Sequence, residues 1–275
     1  MARFLTNVRR YLHSCHSLLH SLGSRRKRIQ EVEYQRIFMQ EIRRIRSEYG
    51  RMLYADSHGV VRRGIFAGLK LSAQTSWGHD MANMLLGAYE QEVQGILQRA
   101  DVKRYDWFID VGCANGYYAV GLALLSPSIH VAAYDISMRA QDVTRATGEL
   151  NGVTDRLGVS GRCGASEMEA CLNNAARPLV MLDIEGGERE LVDPAAIPAF
   201  SRADLIVECH DRGRGDITRM LTDRLKSTHR IEVIPREGRN PAAYPELADL
   251  PDLQSALILC EMRIRSSHWL WCQKQ

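Results

Sequence analysis

The sequence predicts an α/β fold: a doubly wound, mostly parallel sheet with an antiparallel C-terminal strand and an α-helical N-terminal extension. Three observations lead there. From Trp107 onward, short apolar runs at 107–111, 130–136, 157–162, 179–184 and 204–208 alternate with segments of helical periodicity. The runs are continuous rather than alternating, as in strands covered on both faces. Near the C-terminus, "HRIEVIPRE" (229–237) and "SALILCEMRI" (255–264) follow one another across a Pro-rich loop with no helix between them, the pattern of an antiparallel pair.

The elements before the sheet read as a helical extension, residues 1–60, with the main domain at 61–275. The first 28 residues carry Arg3, Arg9, Arg10, Arg25, Arg26, Lys27 and Arg28 and no acid. On a helix, Phe4, Val8, Leu12, Cys15, Leu19 and Leu22 share one face. Two readings stand: an interfacial helix drawn to anionic head groups, or an arm packed on the same chain or on a second subunit. His13, His16 and His20 interrupt the apolar core that a signal peptide needs. Tyr34, Phe38, Ile42, Ile45 and Tyr49 form one stripe and predict a second helix over 29–49, with Gly50 as its stop. "GIFAGLKL" (64–71) suggests a short hairpin arm, and residues 79–100 a helix interrupted at Gly87.

Bulk composition narrows the classes. A formal net charge of +3 gives no general case for nucleic acid as partner. Seven cysteines without a CxxC pair fit reduced thiols in a cytoplasmic protein better than a disulfide framework or a zinc site. No apolar run approaches the roughly 20 residues of a membrane span.

The chemistry concentrates in "FIDVGCANGYYAVGLAL" (108–124). A strand ends at Asp110–Val111, a turn holds Gly112, Cys113, Ala114, Asn115 and Gly116, and a helix opens at Tyr117. The glycines permit a tight turn and close approach of a ligand. The next strand ends in Asp135, nineteen residues past Gly116, placed to accept hydrogen bonds from both ribose hydroxyls of a nucleoside. Nicotinamide-type folds show G-x-G-x-x-G, but the position two after Gly112 is Ala114. S-adenosylmethionine, with an ammonium and a sulfonium, explains a carboxylate beside the turn. Asp110 then holds the ammonium directly or through water; its plainer reading is a cap of the turn's backbone amides.

"DVGCANGYY" followed by "AAYDIS" resembles the class I methyltransferase nucleotide site, built on a Rossmann-like sheet. With "LLGAYEQEV", "VMLDIEGGERELVD" and "DLIVECHD", the chain over residues 85–211 is similar to the FkbM-like family of small-molecule O-methyltransferases. Its Asp-x-Glu-Gly-x-Glu run after the fourth strand is the most specific piece. Cys113 and Ala114 depart from the smaller residues usual in the turn, and His210 follows the fifth-strand Glu208. The resemblance implies S-adenosyl-L-methionine as cofactor, held by Asp110, Gly112, Cys113, Asn115, Gly116, Asp135 and Ile136, with Asp183 nearby. Tyr117 and Tyr118 either contact the methionine end or simply start the helix. Ala165 and Ser166 stand where the family contacts adenine; Ser166 alternatively caps a helix, with Glu169 completing a capping box. Glu90 matches a position near the cofactor, or lies on a solvated helix face.

Ligands of open α/β sheets sit at the carboxyl ends of the strands. Asp183 and Glu185 reach that edge from the fourth strand, and Glu208, His210 and Asp211 from the fifth. His210 suits general-base work at neutral pH, with Asp183 orienting it or binding the acceptor hydroxyl. Alternatively Asp183, Glu208, His210 and Asp211 hold a divalent ion such as Mg2+. Glu185–Gly186–Gly187 shape the turn into the next helix, and Glu188 suits that helix's N-terminus.

The leading expectation is O-methylation of a small hydroxylated acceptor, with a sugar or glycoconjugate implied by the resemblance alone. An RNA methyltransferase is the second expectation; the absence of an Asn-Pro-Pro-Tyr-type motif counts against nucleic acid. The third is a non-catalytic protein of the same fold on a membrane surface. A homo-oligomer built through the N-terminal helices and peripheral membrane contact through residues 1–28 complete the partners considered.

Overall fold

Where each strand starts and stops decides which side chains meet. The computed structural model describes residues 24–75, 79–211, 216–261 and 267–275. It divides into two compact units, Met1–Arg46 and Ser47–Gln275. The readings placed on residues 1–23 lie outside the described residues.

Helix α1 (Ser24–Ser57) runs through the expected stop at Gly50. A Cβ there would lie 3.2 Å from Met81 Cβ, so Gly50 serves a close approach rather than a helix end. The stop comes later, where His58 and Gly59 take left-handed backbone (φ 52° and 74°). Residues 64–71 form no strand; one antiparallel bridge, Val60 to Lys70, closes a turn containing left-handed Gly64 and Gly68. Helices α2 (Met81–Leu86) and α3 (Gln91–Arg99) are separated at Gly87, as expected.

From there strand and helix alternate. β1 (Trp107–Val111) leads to α4 (Tyr117–Leu125), β2 (His130–Tyr134) to α5 (Met138–Leu150) and β3 (Leu157–Ser160) to α6 (Ala165–Asn174). β4 (Pro178–Leu182) leads to α7 (Glu188–Leu191), β5 (Asp204–His210) to α8 (Ile217–Leu225), then come β6 (His229–Ile234), α9 (Asp252–Leu259) and β7 (Ser267–Lys274). The sheet order is β3-β2-β1-β4-β5-β7-β6, with β7 antiparallel to both neighbours. This is the doubly wound, Rossmann-like sheet the sequence predicts. The chain steps outward from β1 to β3, returns to β4 and steps outward again, so the switch point lies between β1 and β4.

Period-two alternation builds both layers of core. Phe108, Val131, Leu179, Ile206, Trp269 and Trp271 face one layer. Ile109, Val180, Leu205, Val207, Leu270 and Cys272 face the other. Two C-terminal expectations are corrected. β6 ends at Ile234 because Pro235 has no N–H for the ladder. Residues 252–259 form a helix, not a strand: Pro251 precedes its first turn, and Ser255, Ile258 and Leu259 are buried at i, i+3 and i+4. The antiparallel partner is "SHWLWCQK", in which Trp269 to Cys272 are buried on both faces.

At the edge where β5 starts, Asp204 ties three elements together. It pairs with Arg104, accepts the Tyr105 hydroxyl at 2.5 Å and accepts the Lys274 amide at 2.8 Å. Asp204→Ala leaves buried Tyr105 and a strand amide without an acceptor, and should cost about 2–3 kcal/mol. Urea denaturation measures it; a loss under about 0.5 kcal/mol would contradict the assignment.

Candidate functional site

At the switch point the turn after β1 is wedged between its neighbours. Gly112 and Cys113 both donate to the Tyr134 carbonyl (2.8 and 3.1 Å), and Asp183 N donates to the Val111 carbonyl at 3.0 Å. Gly112 has φ 93°, and a Cβ there would sit 1.9 Å from the Asp183 carbonyl oxygen. Only glycine fits. Gly116, at φ 74°, precedes α4 and lies against Thr144.

The parallel register sets Asp110, Asp135 and Asp183 around this turn. Asp135 accepts from Ala114 N at 3.0 Å on Oδ2 and from Ser137 N at 2.8 Å on Oδ1. It therefore fills the capping role that the sequence left open for Asp110, and keeps lone pairs for further donors. Asp110 is 3% exposed. It accepts the Ala119 N–H, while its Oδ2 has no hydrogen-bond partner among the described residues. Burial first, then the charges of Asp135 and Asp183, push its pKa up to about 8. At pH 7 this carboxyl is protonated in the free protein, and an arriving cation would ionise it.

The remaining residues expected at a cofactor divide into two groups. Ile136 is 84% exposed just past β2. Ala165 and Ser166 are exposed at the head of α6, past β3. Ser166 does not cap that helix: the cap is Gly164, whose N–H Glu167 accepts at 3.0 Å. By contrast, Cys113 is buried with Sγ 3.5 Å from Thr144 Oγ1, and the carbonyl of buried Asn115 accepts from Thr147 Oγ1. Tyr117 and Tyr118 point into an edge-to-face cluster with Phe66, and Tyr117 also meets Tyr89 edge-on. Their rings are core. Glu90 is buried, not on a solvated face, and caps α3 with φ 44°.

The second concentration of chemistry lies where β4 and β5 end. His210 Nδ1 is 2.9 Å from Glu188 Oε1, and Nε2 is 3.6 Å from Asp183, 3.5 Å from Glu185 and 3.8 Å from Glu208. Glu188 is fully buried at the head of α7 and also accepts the Ile184 N–H at 3.1 Å. Burial works to lower the His210 pKa, but the Glu188 bond and the charges of Glu188, Asp183 and Glu185 outweigh it, and the net shift is upward. Burial, then the charge of Asp183 and the hydrogen bond to it, push Glu208 up strongly, so a shared proton stays on Glu208. Glu185 is held at φ 53° with its side chain 77% exposed, a carboxylate on the rim. Asp211 turns away, accepting from Thr218 N and Oγ1.

Donor atoms of Asp183, Glu185 and His210 lie within 4.8 Å of one another, as do those of Glu90, Asp183 and Glu208. The first set contains an imidazole, and two acids of the second are almost fully buried. Neither is the open, all-oxygen, water-retaining shell that Mg2+ prefers. The expected residues Asp183, Glu208 and His210 also meet here, with His210 Nε2 3.6 Å from Asp183 and 3.8 Å from Glu208, and Glu185 joins them at 3.5 Å.

Sequence reasoning missed three contributors. Glu188 was read for its helix dipole, yet it orients the imidazole; its signal was present as the last acid of "LDIEGGE". Arg239 and Glu261 join residues 88–92 from far along the chain, with no local signal. Arg239 forks onto Glu92 and reaches the Ala88 carbonyl, and Glu261 accepts the Glu90 N–H at 2.7 Å.

No protein-family model matches the chain, and no curated protein matches it. Solved structures that resemble it include a precorrin-6y C5,15-methyltransferase from Geobacter metallireducens, 13% identical, with TM-score 0.45, covering 68% of this chain and 90% of that one. An S-adenosylmethionine-dependent O-methyltransferase from Thermotoga maritima is 17% identical, with TM-score 0.45 over 68% and 65% of the two chains. An O-methyltransferase from Bacillus cereus in complex with S-adenosylhomocysteine is 14% identical, with TM-score 0.43 over 67% and 81%. Among the described residues no helix is long and apolar enough to cross a membrane.

Glu188→Gln removes the negative charge beside Nδ1 and should lower the His210 pKa. NMR titration of the ring protons measures this, and an unchanged midpoint would remove Glu188 as the orienting group.

Proposed function

We propose that the chain is an S-adenosylmethionine-dependent methyltransferase of the FkbM-like kind, acting on a hydroxyl of a small acceptor such as a sugar or glycoconjugate. One observation carries the reading: three carboxylates, Asp110, Asp135 and Asp183, crowd a glycine turn at the switch point, and Asp110 keeps a buried oxygen with no hydrogen-bond partner among the described residues. A ligand with an ammonium and a sulfonium complements that arrangement. Asp110 takes the ammonium. The N–H groups of Gly112, Cys113, Ala114 and Gly116 are engaged within the protein. The ligand's carboxylate therefore goes to the head of α4, to the backbone of Tyr117 and Tyr118. Asp135 accepts the ribose hydroxyls, and Ile136, Ala165 and Ser166 border the adenine.

In the transfer, the acceptor oxygen attacks the methyl carbon, the carbon–sulfur bond breaks and a neutral thioether leaves. The hydroxyl proton passes to His210 Nε2, whose other nitrogen Glu188 holds, with Asp183 and Glu185 flanking the hydroxyl. The imidazole must be neutral to accept it. Because its pKa is raised above 6.5, transfer should increase with pH through that value and level off above it.

The proposal takes 61–275 as the methyltransferase domain of a cytoplasmic protein. Residues 1–60 are an extension for contact between copies or, through residues 1–28, with an anionic membrane surface.

Calorimetry with S-adenosylmethionine and S-adenosylhomocysteine tests the cofactor. Wild type should bind both, and Asp135→Ala should weaken binding about 10- to 100-fold; no binding by wild type at millimolar ligand would overturn the reading. His210→Gln should retain binding and lose about 10²-fold or more of methyl transfer to a saccharide panel. Asp183, Glu185 and His210 favour a second reading, in which a divalent ion with affinity for imidazole lowers the proton affinity of the acceptor hydroxyl. Transfer unchanged after EDTA treatment supports the imidazole base; transfer lost and restored by Mn2+ supports the ion.

A further inference from the structure

Glu90 is a non-glycine residue in left-handed backbone (φ 44°, ψ 56°) and is 1% exposed. Such a conformation is strained and persists only where the surroundings over-determine it. Its carboxylate lies among acids, with one oxygen within 4.8 Å of oxygens of Asp183 and Glu208. The left-handed backbone runs uphill, so something must hold the residue there.

The holding groups come from the segment between β6 and β7. Glu261 Oε1 accepts the Glu90 N–H at 2.7 Å and Arg239 Nη2 at 2.8 Å, and its Oε2 accepts Arg236 Nη2 at 2.5 Å. Arg239 straddles the same stretch: Nε donates to the Ala88 carbonyl at 2.9 Å, and the guanidinium forks onto both oxygens of Glu92 at 2.9 and 2.7 Å. Ala88 and Glu92, two positions either side of Glu90, are thus clamped by one arginine, and Glu90 itself by the carboxylate that arginine supports. Glu261 and Arg239 are almost fully buried, so these bonds are not exchanged with solvent.

We propose that Glu261 is a positioning residue: it fixes Glu90 in its left-handed conformation and thereby aims the Glu90 carboxylate at Asp183 and Glu208, on the edge where the proposed function brings cofactor and acceptor together. The inference rests on the proposed function for the identity of the ligand, but not for the clamp itself. The C-terminal segment, remote in sequence from the glycine turn, then governs one wall of the cofactor site.

Two readouts separate the clamp from the ligand. Hydrogen exchange at the residue 90 amide reports the clamp without any cofactor, and calorimetry with S-adenosylmethionine reports its consequence. Glu261→Met removes the acceptor at similar length. Glu261→Asp keeps the charge that Arg236 and Arg239 require but withdraws the oxygen, and carries the test should the first variant not fold. Both should speed amide exchange about tenfold or more and weaken cofactor binding about tenfold; Glu261→Gln, which keeps the oxygen, should restore most of each. Combined with Glu90→Gln, the Glu261 variants should add no further loss of affinity, since the two changes act through one group. Unchanged exchange in both variants, or losses that multiply in the double variants, would overturn the proposal. Wild type that protects the amide yet binds no cofactor would leave the clamp standing and remove the function built on it.

Discussion

Acidic groups have been brought together at one edge of this sheet, and much else in the chain serves to keep them there. Asp110, Asp135 and Asp183 surround a single turn, and Glu185, Glu188, Glu208 and His210 crowd the next strand tips. Nothing in folding alone favours this, because buried carboxylates repel and lose hydration. On the proposed function the arrangement becomes favourable when a cation enters, and the edge acts as a receptor rather than a stabilising network. Asp204, at the opposite edge, shows the contrast: both its oxygens are met by donors, and it ties strands together.

The backbone bears part of the strain. Three of the non-glycine residues with positive φ, Glu90, Ala114 and Glu185, lie at this edge. Each turns the chain where a strand or turn delivers a carboxylate or an amide. Gly112 does the same with no side chain, letting the Asp183 carbonyl approach to a distance no Cβ permits. Strain gathers where the acids gather, as expected when geometry is held for a ligand.

Much of this was legible in the residues. Continuous apolar runs announced strands covered on both faces, and the Asp110–Gly112–Gly116 spacing with Asp135 located the turn. The failures have physical causes. "ALIL" is apolar at every helical and every strand position, so its periodicity decided nothing, whereas Pro251 and Asp252 at the head of the segment already favoured a helix. Gly50 read as a stop because propensity sees only backbone entropy, not the neighbour it admits. Tyr117 and Tyr118, beside the turn in sequence, project their rings into the core, since a helix start turns successive side chains about 100° apart. Arg239 and Glu261 were beyond sequence reasoning: their meeting with Glu90 and Glu92 exists only because β7 inserts between β5 and β6.

The claim on which the rest depends is that Asp110 waits protonated for a cation, and proton release on binding tests it most directly. Calorimetry of S-adenosylmethionine at pH 7 in buffers of different ionisation heat counts protons exchanged. A carboxyl with its pKa near 8 in the free protein that ionises against the ligand should release about one proton. Affinity should then strengthen by up to about tenfold per pH unit between pH 6 and 7.5, and Asp110→Asn should abolish both effects. Binding with no proton release and the same affinity at pH 6 and 7.5 would contradict the account.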